Sequence, residues 1–186
     1  MIENFKIEKH STVLEAIPFS VEQIDLSYKG RLIEHPFHRL NSKDWVNIVA
    51  VTKDQRAILI RQPRAGTLTL TLETPGGVVD PQDDCLEKAA LRELEEETGY
   101  TSDKLIGLGS FYANPAIQTN YCHYFLAKDC YQPQTRSHFP DPEEQIEIVL
   151  KDISRLAQSV RDGEINHVFC CLAVMLSLPY LQDLEA

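Results

Sequence analysis

Along the first 44 residues apolar and polar positions mix without a sustained period. This predicts short extended pieces, closing on the turn-rich "HPFHRLNSKD". From Trp45 the pattern sharpens. "DWVNIVAVT" is apolar almost throughout and reads as a buried strand, and the turn "KDQR" leads into a second, "AILIRQ". "LTLTLETPGG" alternates Leu with Thr, the mark of a half-buried strand, and stops at Pro75-Gly76-Gly77. After the polar loop "VVDPQDD" the spacing becomes helical, from about Cys85 to Thr98. Asp83 or Asp84 is the expected N-cap and Gly99 the stop. "LIGLGSFYA" and "YCHYFLAKD" read as two more strands joined by "NPAIQTN". The long polar loop "RSHFPDPEEQ" precedes the short strand "IEIVL". Ile153, Leu156, Ala157 and Val160 then fall at helical spacing up to Gly163, and Asn166 is expected to cap a last, mostly buried helix. Strands with one mid-chain helix and two C-terminal helices imply an α+β protein rather than a regular βαβ repeat.

The mid-chain helix breaks its own pattern. At about 100° per residue, Leu86, Ala89, Ala90 and Leu94 form the buried stripe. Lys88 and Glu95 fall on the opposite side and read as solvated. Glu93 and Glu97 lie inside the apolar stripe, one turn apart, with Glu96 at its edge and Arg92 beside it. Inward carboxylates are costly unless they are paired or bind a cation. Buried salt bridges to inward arginines are one solution. The other is an oxygen cage: carboxylates at i, i+3 and i+4 suit Mg²⁺ or Mn²⁺.

Composition narrows the options. The chain has 186 residues, 43% of them hydrophobic, enough for one domain with a small appendage. A formal charge of −10 argues against non-specific binding to nucleic acid or an anionic membrane. It also means that any phosphate substrate needs a cation or an arginine cluster to offset the field. The five cysteines show no C-x-x-C spacing, so neither a disulfide framework nor a structural zinc site is expected. The opening "MIENFKIEKH" lacks an apolar core, and "VFCCLAVMLSL" is too short to span a bilayer. A soluble cytoplasmic protein is the expectation.

"GGVVDPQDDCLEKAALRELEEETGY" resembles the Nudix box, G-x5-E-x7-R-E-U-x-E-E-x-G-U, where U is bulky and apolar. Arg92, Glu93, Leu94, Glu96, Glu97, Gly99 and Tyr100 match its second half, and Gly77 its first glycine. Two departures stand in the first half: an aspartate, Asp83 or Asp84, replaces the glutamate, and one extra residue separates Gly77 from Arg92. "LIRQPRAG", "LETPGG", "FYANPAIQTNYCHYFLA" and the late "EEQIEI…DGEI" are similar to the ADP-ribose and nucleoside diphosphate sugar pyrophosphatase branch. The resemblance runs over roughly residues 45 to 175.

What it implies is specific. The fold would be the Nudix fold, an α/β/α sandwich of mixed sheet between helices. Residues 45–186 would form the hydrolase domain and residues 1–44 a β extension, exchanged or dimerising in a homodimer. The reaction would be Mg²⁺-dependent cleavage of the pyrophosphate in a substrate of the ADP-ribose, GDP-mannose or ADP-glucose type. Other Nudix substrates (nucleoside triphosphates, coenzyme A, dinucleoside polyphosphates) and a non-catalytic ADP-ribose-binding sensor are the alternatives. The resemblance makes Glu93, Glu96, Glu97 and the Gly76 carbonyl metal ligands, with Arg92 steering the glutamates. Alternation along "IRQPR" puts Gln62 and Arg64 on one side, toward the diphosphate. Glu73 has a substrate or structural role, and Trp45 stacks on a base or packs in the core. The general base in this branch is a glutamate on a late loop, Glu144 or its neighbour Glu143. His10, His35, His38, His123 and His167 lack ligand-like spacing and read as structural.

Overall fold

The structure, a computed structural model, describes residues 1–182. These fall into two compact units, Met1–Asp44 with Phe111–Tyr121, and Trp45–Ser110 with Cys122 onward.

In the first unit the N-terminal pieces are longer than their pattern suggested. β1 (Lys6–Glu15) and β2 (Phe19–Tyr28) are ten-residue strands paired antiparallel. β3 (Arg31–Leu32) and β4 (Phe37–Ser42) pair with the other side of β2. β2 buries Glu22, Ile24 and Leu26 at alternate positions, whereas every residue of β1 is exposed. A strand whose two faces are both solvated has no apolar alternation to read.

The second unit is built on a seven-stranded sheet ordered β11-β6-β5-β10-β9, with β7 added to β6 and β8 to β5. Its strands are β5 (Trp45–Thr52), β6 (Arg56–Arg64), β7 (Thr69–Glu73), β8 (Gly76–Val78), β9 (Lys104–Tyr112), β10 (Tyr121–Cys130) and β11 (Glu147–Asp152). β5 runs parallel to β10 and antiparallel to β6, so the sheet is mixed. Helices cover both faces. From β5, Val46, Ile48 and Ala50 pack with Ala89, Ala90 and Leu94 of α1 (Leu86–Thr98). Val49 and Val51 point the other way, into a cluster with Leu156 of α2 (Leu156–Arg161) and Cys170, Ala173 and Val174 of α3 (Val168–Gln182). A central strand buried on both faces reads as an unbroken apolar run, which is what "VNIVAV" is. The layering is α/β/α.

Local departures have physical reasons. Leu68 and Leu70 are exposed and only Leu72 enters the core, because β7 is an added strand bonded to β6 alone. The residue before α1 is Cys85, which makes no side-chain cap, while Asp83 is bonded to Arg92 and Asp84 to Lys88. α3 starts at Val168, so His167 rather than Asn166 immediately precedes it.

Candidate active site

A cleft of about 390 Å³ opens in the second unit, lined by Gln62, Arg64, Gly76, Gly77, Arg92, Glu93, Glu96, Glu97 and Glu144, among others. α1 supplies the acids. Glu97 is buried and accepts the Gly76 amide N–H at 2.8 Å, so β8 and the helix are tied at the cleft floor. Burial drives the Glu97 carboxyl well above its usual range, against the Gly76 bond, and neighbouring Glu93 and Glu144 add to the push. Burial also pushes Glu93 up to about 7, against the pull of Arg92. Two half-starved carboxylates facing hard oxygen donors are what a divalent cation would relieve; the donor set fits Mg²⁺ or Mn²⁺.

Arg92 holds this wall. Its Nε and Nη2 donate to the two oxygens of Asp83 at 3.0 and 2.9 Å. Its Nη1 donates to Glu93 and Glu96 at 3.0 and 2.8 Å, and Nη2 also reaches the Val78 carbonyl at 3.0 Å. Of the two candidate aspartates, Asp83 therefore faces the arginine, whereas Asp84 pairs with Lys88 on the surface. The shorter aspartate and the extra loop residue together still reach the guanidinium.

Glu95 is not solvated as the wheel implied. It is buried, because the Arg136–His138 segment folds over the back of α1: Ser137 N–H donates to the Glu95 carboxylate at 2.7 Å. Arg136 also caps the Glu95 and Glu96 carbonyls at 2.8 and 2.6 Å. A helical wheel sees only its own helix, and this cover comes from forty residues downstream.

Opposite the acids stand Gln62 and Arg64 of β6. Gln62 is 9% exposed and its Nε2 has no partner among the described residues, an orphaned donor at the cleft. Arg64 is half exposed and doubly bonded to Glu73, from Nε to Oε1 at 2.8 Å and from Nη2 to Oε2 at 2.6 Å. Glu73 lies 2% exposed behind it, outside the cleft lining. Burial opposes its ionisation, but Arg64, His167 and Thr71 outweigh that, and the carboxyl is held well below the usual range. Glu144 lines the cleft from the late loop, held by reciprocal bonds with the Asp141 backbone; Glu143 is not in the lining. Trp45 lies apart, packed on Phe169 at 5.3 Å between ring centroids. His167, read as structural, meets Glu73 and Cys170 behind Arg64. The H-x-x-C spacing of "HVFC" was the available signal, since i and i+3 share a helix face.

Three helix carboxylates, one of them buried, thus line one cleft with an arginine and an orphaned amide, a set of groups chemically suited to a divalent cation beside a phosphate. The family model for the NUDIX domain matches residues 43–165, and the chain belongs to that family. Among curated relatives, an ADP-ribose pyrophosphatase of Bacillus subtilis is 30% identical over 78% of this chain and 77% of its own length. A methanol dehydrogenase activator of Bacillus methanolicus is 25% identical over 91% of this chain and 87% of its own. A crystal structure of an ADP compounds hydrolase superposes with a TM-score of 0.85 at 25% identity, covering 98% of this chain and 97% of that one. No helix among the described residues is long and apolar enough to cross a membrane.

Proposed function

We propose that this Nudix hydrolase cleaves the pyrophosphate bond of nucleoside diphosphate sugars, releasing a nucleoside monophosphate and a sugar phosphate. The observation that carries the reading is the pairing of Glu93, Glu96 and Glu97 with Arg64 and the unpartnered Gln62 amide in one cleft. The ADP-ribose pyrophosphatase and ADP compounds hydrolase relatives support the substrate class. Mg²⁺, with Mn²⁺ as substitute, is the cation we assign. Glu93, Glu96, Glu97 and the Gly76 carbonyl would hold it, and when bound it neutralises the diphosphate and makes water more acidic.

The chain's own groups do the rest. Arg92 keeps three carboxylates oriented through its fixed fork. Arg64 meets a phosphate oxygen with donors left over from Glu73, and the Glu73 salt bridge fixes its direction. Gln62 donates its free amide to the diphosphate or the bridging ribose. Glu144, on the late loop, takes the proton of the attacking water, with Glu143 as its exposed neighbour. We assign Trp45 to packing and Glu73 to holding Arg64. Residues 45–186 form the catalytic domain, and residues 1–44 a β extension that pairs in a homodimer. We assign the chain to the cytoplasm, a reducing compartment that suits five cysteines without C-x-x-C spacing.

A partner-regulating role has one support, the relative named as a dehydrogenase activator. A panel of ADP-ribose, GDP-mannose, ADP-glucose, UDP-glucose, NADH and dATP with Mg²⁺ separates the readings by phosphate release after phosphatase coupling. Turnover of the sugar diphosphates is expected. Turnover of dATP alone would remove the substrate assignment, and no turnover of any would leave the regulatory reading.

A further inference from the structure

Behind Arg64, three side chains from two distant stretches converge on one point. His167 Nδ1 lies 3.2 Å from Glu73 Oε2 and 3.4 Å from Cys170 Sγ. The sulfur lies 4.0 Å from the same oxygen. Glu73 is 2% exposed and Cys170 fully buried, while the His167 side chain is 35% exposed and gives the cluster a way in. All three ligand atoms lie within 4.8 Å of one another.

These distances match a particular demand. Tetrahedral zinc with bonds of about 2.3 Å to sulfur and about 2.0–2.2 Å to nitrogen and oxygen sets its ligand atoms roughly 3.3–3.6 Å apart. Two edges of the triangle are within about 0.2 Å of that range, and the third closes with a small turn of the Cys170 side chain, which is within rotamer reach. The donor set is also of a different character from the cleft's. One thiolate and one imidazole are soft or borderline ligands, poor for Mg²⁺ and good for Zn²⁺ or Co²⁺. Glu73 enters with its other oxygen already held by Arg64 and Thr71, so its orientation is fixed before any ion arrives. The half-exposed His167 is the side from which water would complete the four ligands.

We propose that Glu73, His167 and Cys170 form a second metal site, selective for Zn²⁺ over Mg²⁺ and separate from the acid cluster on α1. Ligation replaces the Cys170 S–H and the His167 Nδ1–H bonds by bonds to the ion, and both protons pass to solvent. The ion shares Glu73 Oε2 with Arg64 Nη2, so its presence loosens one of the two bonds that aim Arg64 at the cleft. The site stands whether or not the cleft hydrolyses diphosphates.

Cobalt makes the test spectroscopic. Chelator-stripped protein carrying Cys85→Ser, which removes the exposed thiol, is titrated with Co²⁺ in excess Mg²⁺. One equivalent should raise a near-ultraviolet thiolate-to-cobalt charge-transfer band, which Zn²⁺ then bleaches. Cys170→Ser should abolish the band, and His167→Ala should weaken cobalt affinity at least tenfold. Glu97→Gln, which disables the acid cluster, should leave the band in place. Absence of the band in the Cys85→Ser protein, or its survival in Cys170→Ser, overturns the proposal. Because the first of these needs no change within the cluster, a variant that fails to fold does not shelter it.

Discussion

A methyl group on Gly77 would sit 2.6 Å from three atoms of the Glu93 carboxyl group, whereas one on Gly76 would sit 2.3 Å from the Val46 carbonyl oxygen. The two neighbours therefore fail differently. A side-chain end gives way and a strand backbone does not. Gly77→Ala is expected to displace Glu93 and lower kcat/KM by about 10²-fold with the fold within about 1 kcal/mol of wild type. Gly76→Ala is expected to destabilise by roughly 2–4 kcal/mol, because β8 must move off β5. Urea midpoints beside steady-state rates check both, and equal destabilisation by the two variants would contradict the assignment. His167 gives the pH dependence. Cys170 first, then Glu73, raise its imidazole to about 9. An unfolded histidine titrates near 6.5, with the usual value about 6.5. A raised folded value means the stabilisation is complete below about pH 6.5, declines above it and is gone beyond about pH 9. In chelated buffer the midpoint difference between wild type and His167→Gln should shrink across that window; a constant difference would deny the linkage. At this scale the sequence was most legible where a residue broke a pattern. Glu93 and Glu97 stood out as acids in an apolar stripe. His167 broke none, because its partners lie 94 residues back and one turn ahead.

The helix α1 shows what periodicity can and cannot carry. Its buried stripe and its stop were readable: Ala89, Ala90 and Leu94 are fully buried, and Gly99 closes it in the left-handed region with its N–H on the Glu95 carbonyl at 2.8 Å. Its start and its far face were not. Two aspartates offered an N-cap, but the Arg92 fork claims one and Lys88 the other, which leaves Cys85 at the cap with extended backbone and no side-chain bond. Glu95 is buried by a loop whose position no local pattern encodes. The uncapped start makes a prediction. Cys85→Ser places a hydroxyl acceptor at the N-cap and should stabilise by about 0.5–1 kcal/mol, read as a higher urea midpoint with unchanged slope. A midpoint at or below wild type would show that the first turn is already satisfied.

At the scale of the whole molecule, the hydrolase sheet was legible because its central strands are apolar on both faces. The N-terminal sheet was not, because β1 has no buried face at all. That exposure is itself informative. Val13 and Leu14 are 57% and 54% exposed, next to an irregularity in the β1–β2 register, and Ile7 is half exposed on the same strand. β1 is also the end of its sheet's order, so one row of its backbone donors and acceptors faces outward. A ten-residue edge strand carrying this much apolar surface needs cover, and a second copy of the chain offers the same edge in antiparallel self-pairing. The net charge of −10 does not forbid this, because Lys6, Lys9 and His10 sit on β1 among its two glutamates. Light scattering after size exclusion at micromolar concentration should give twice the chain mass for wild type. The double substitution Val13→Lys, Leu14→Lys should give the chain mass with the far-ultraviolet spectrum preserved, since both side chains already face solvent in the single chain. A wild-type protein that runs at the chain mass at these concentrations would remove the homodimer, and the apolar residues of β1 would then need a different partner.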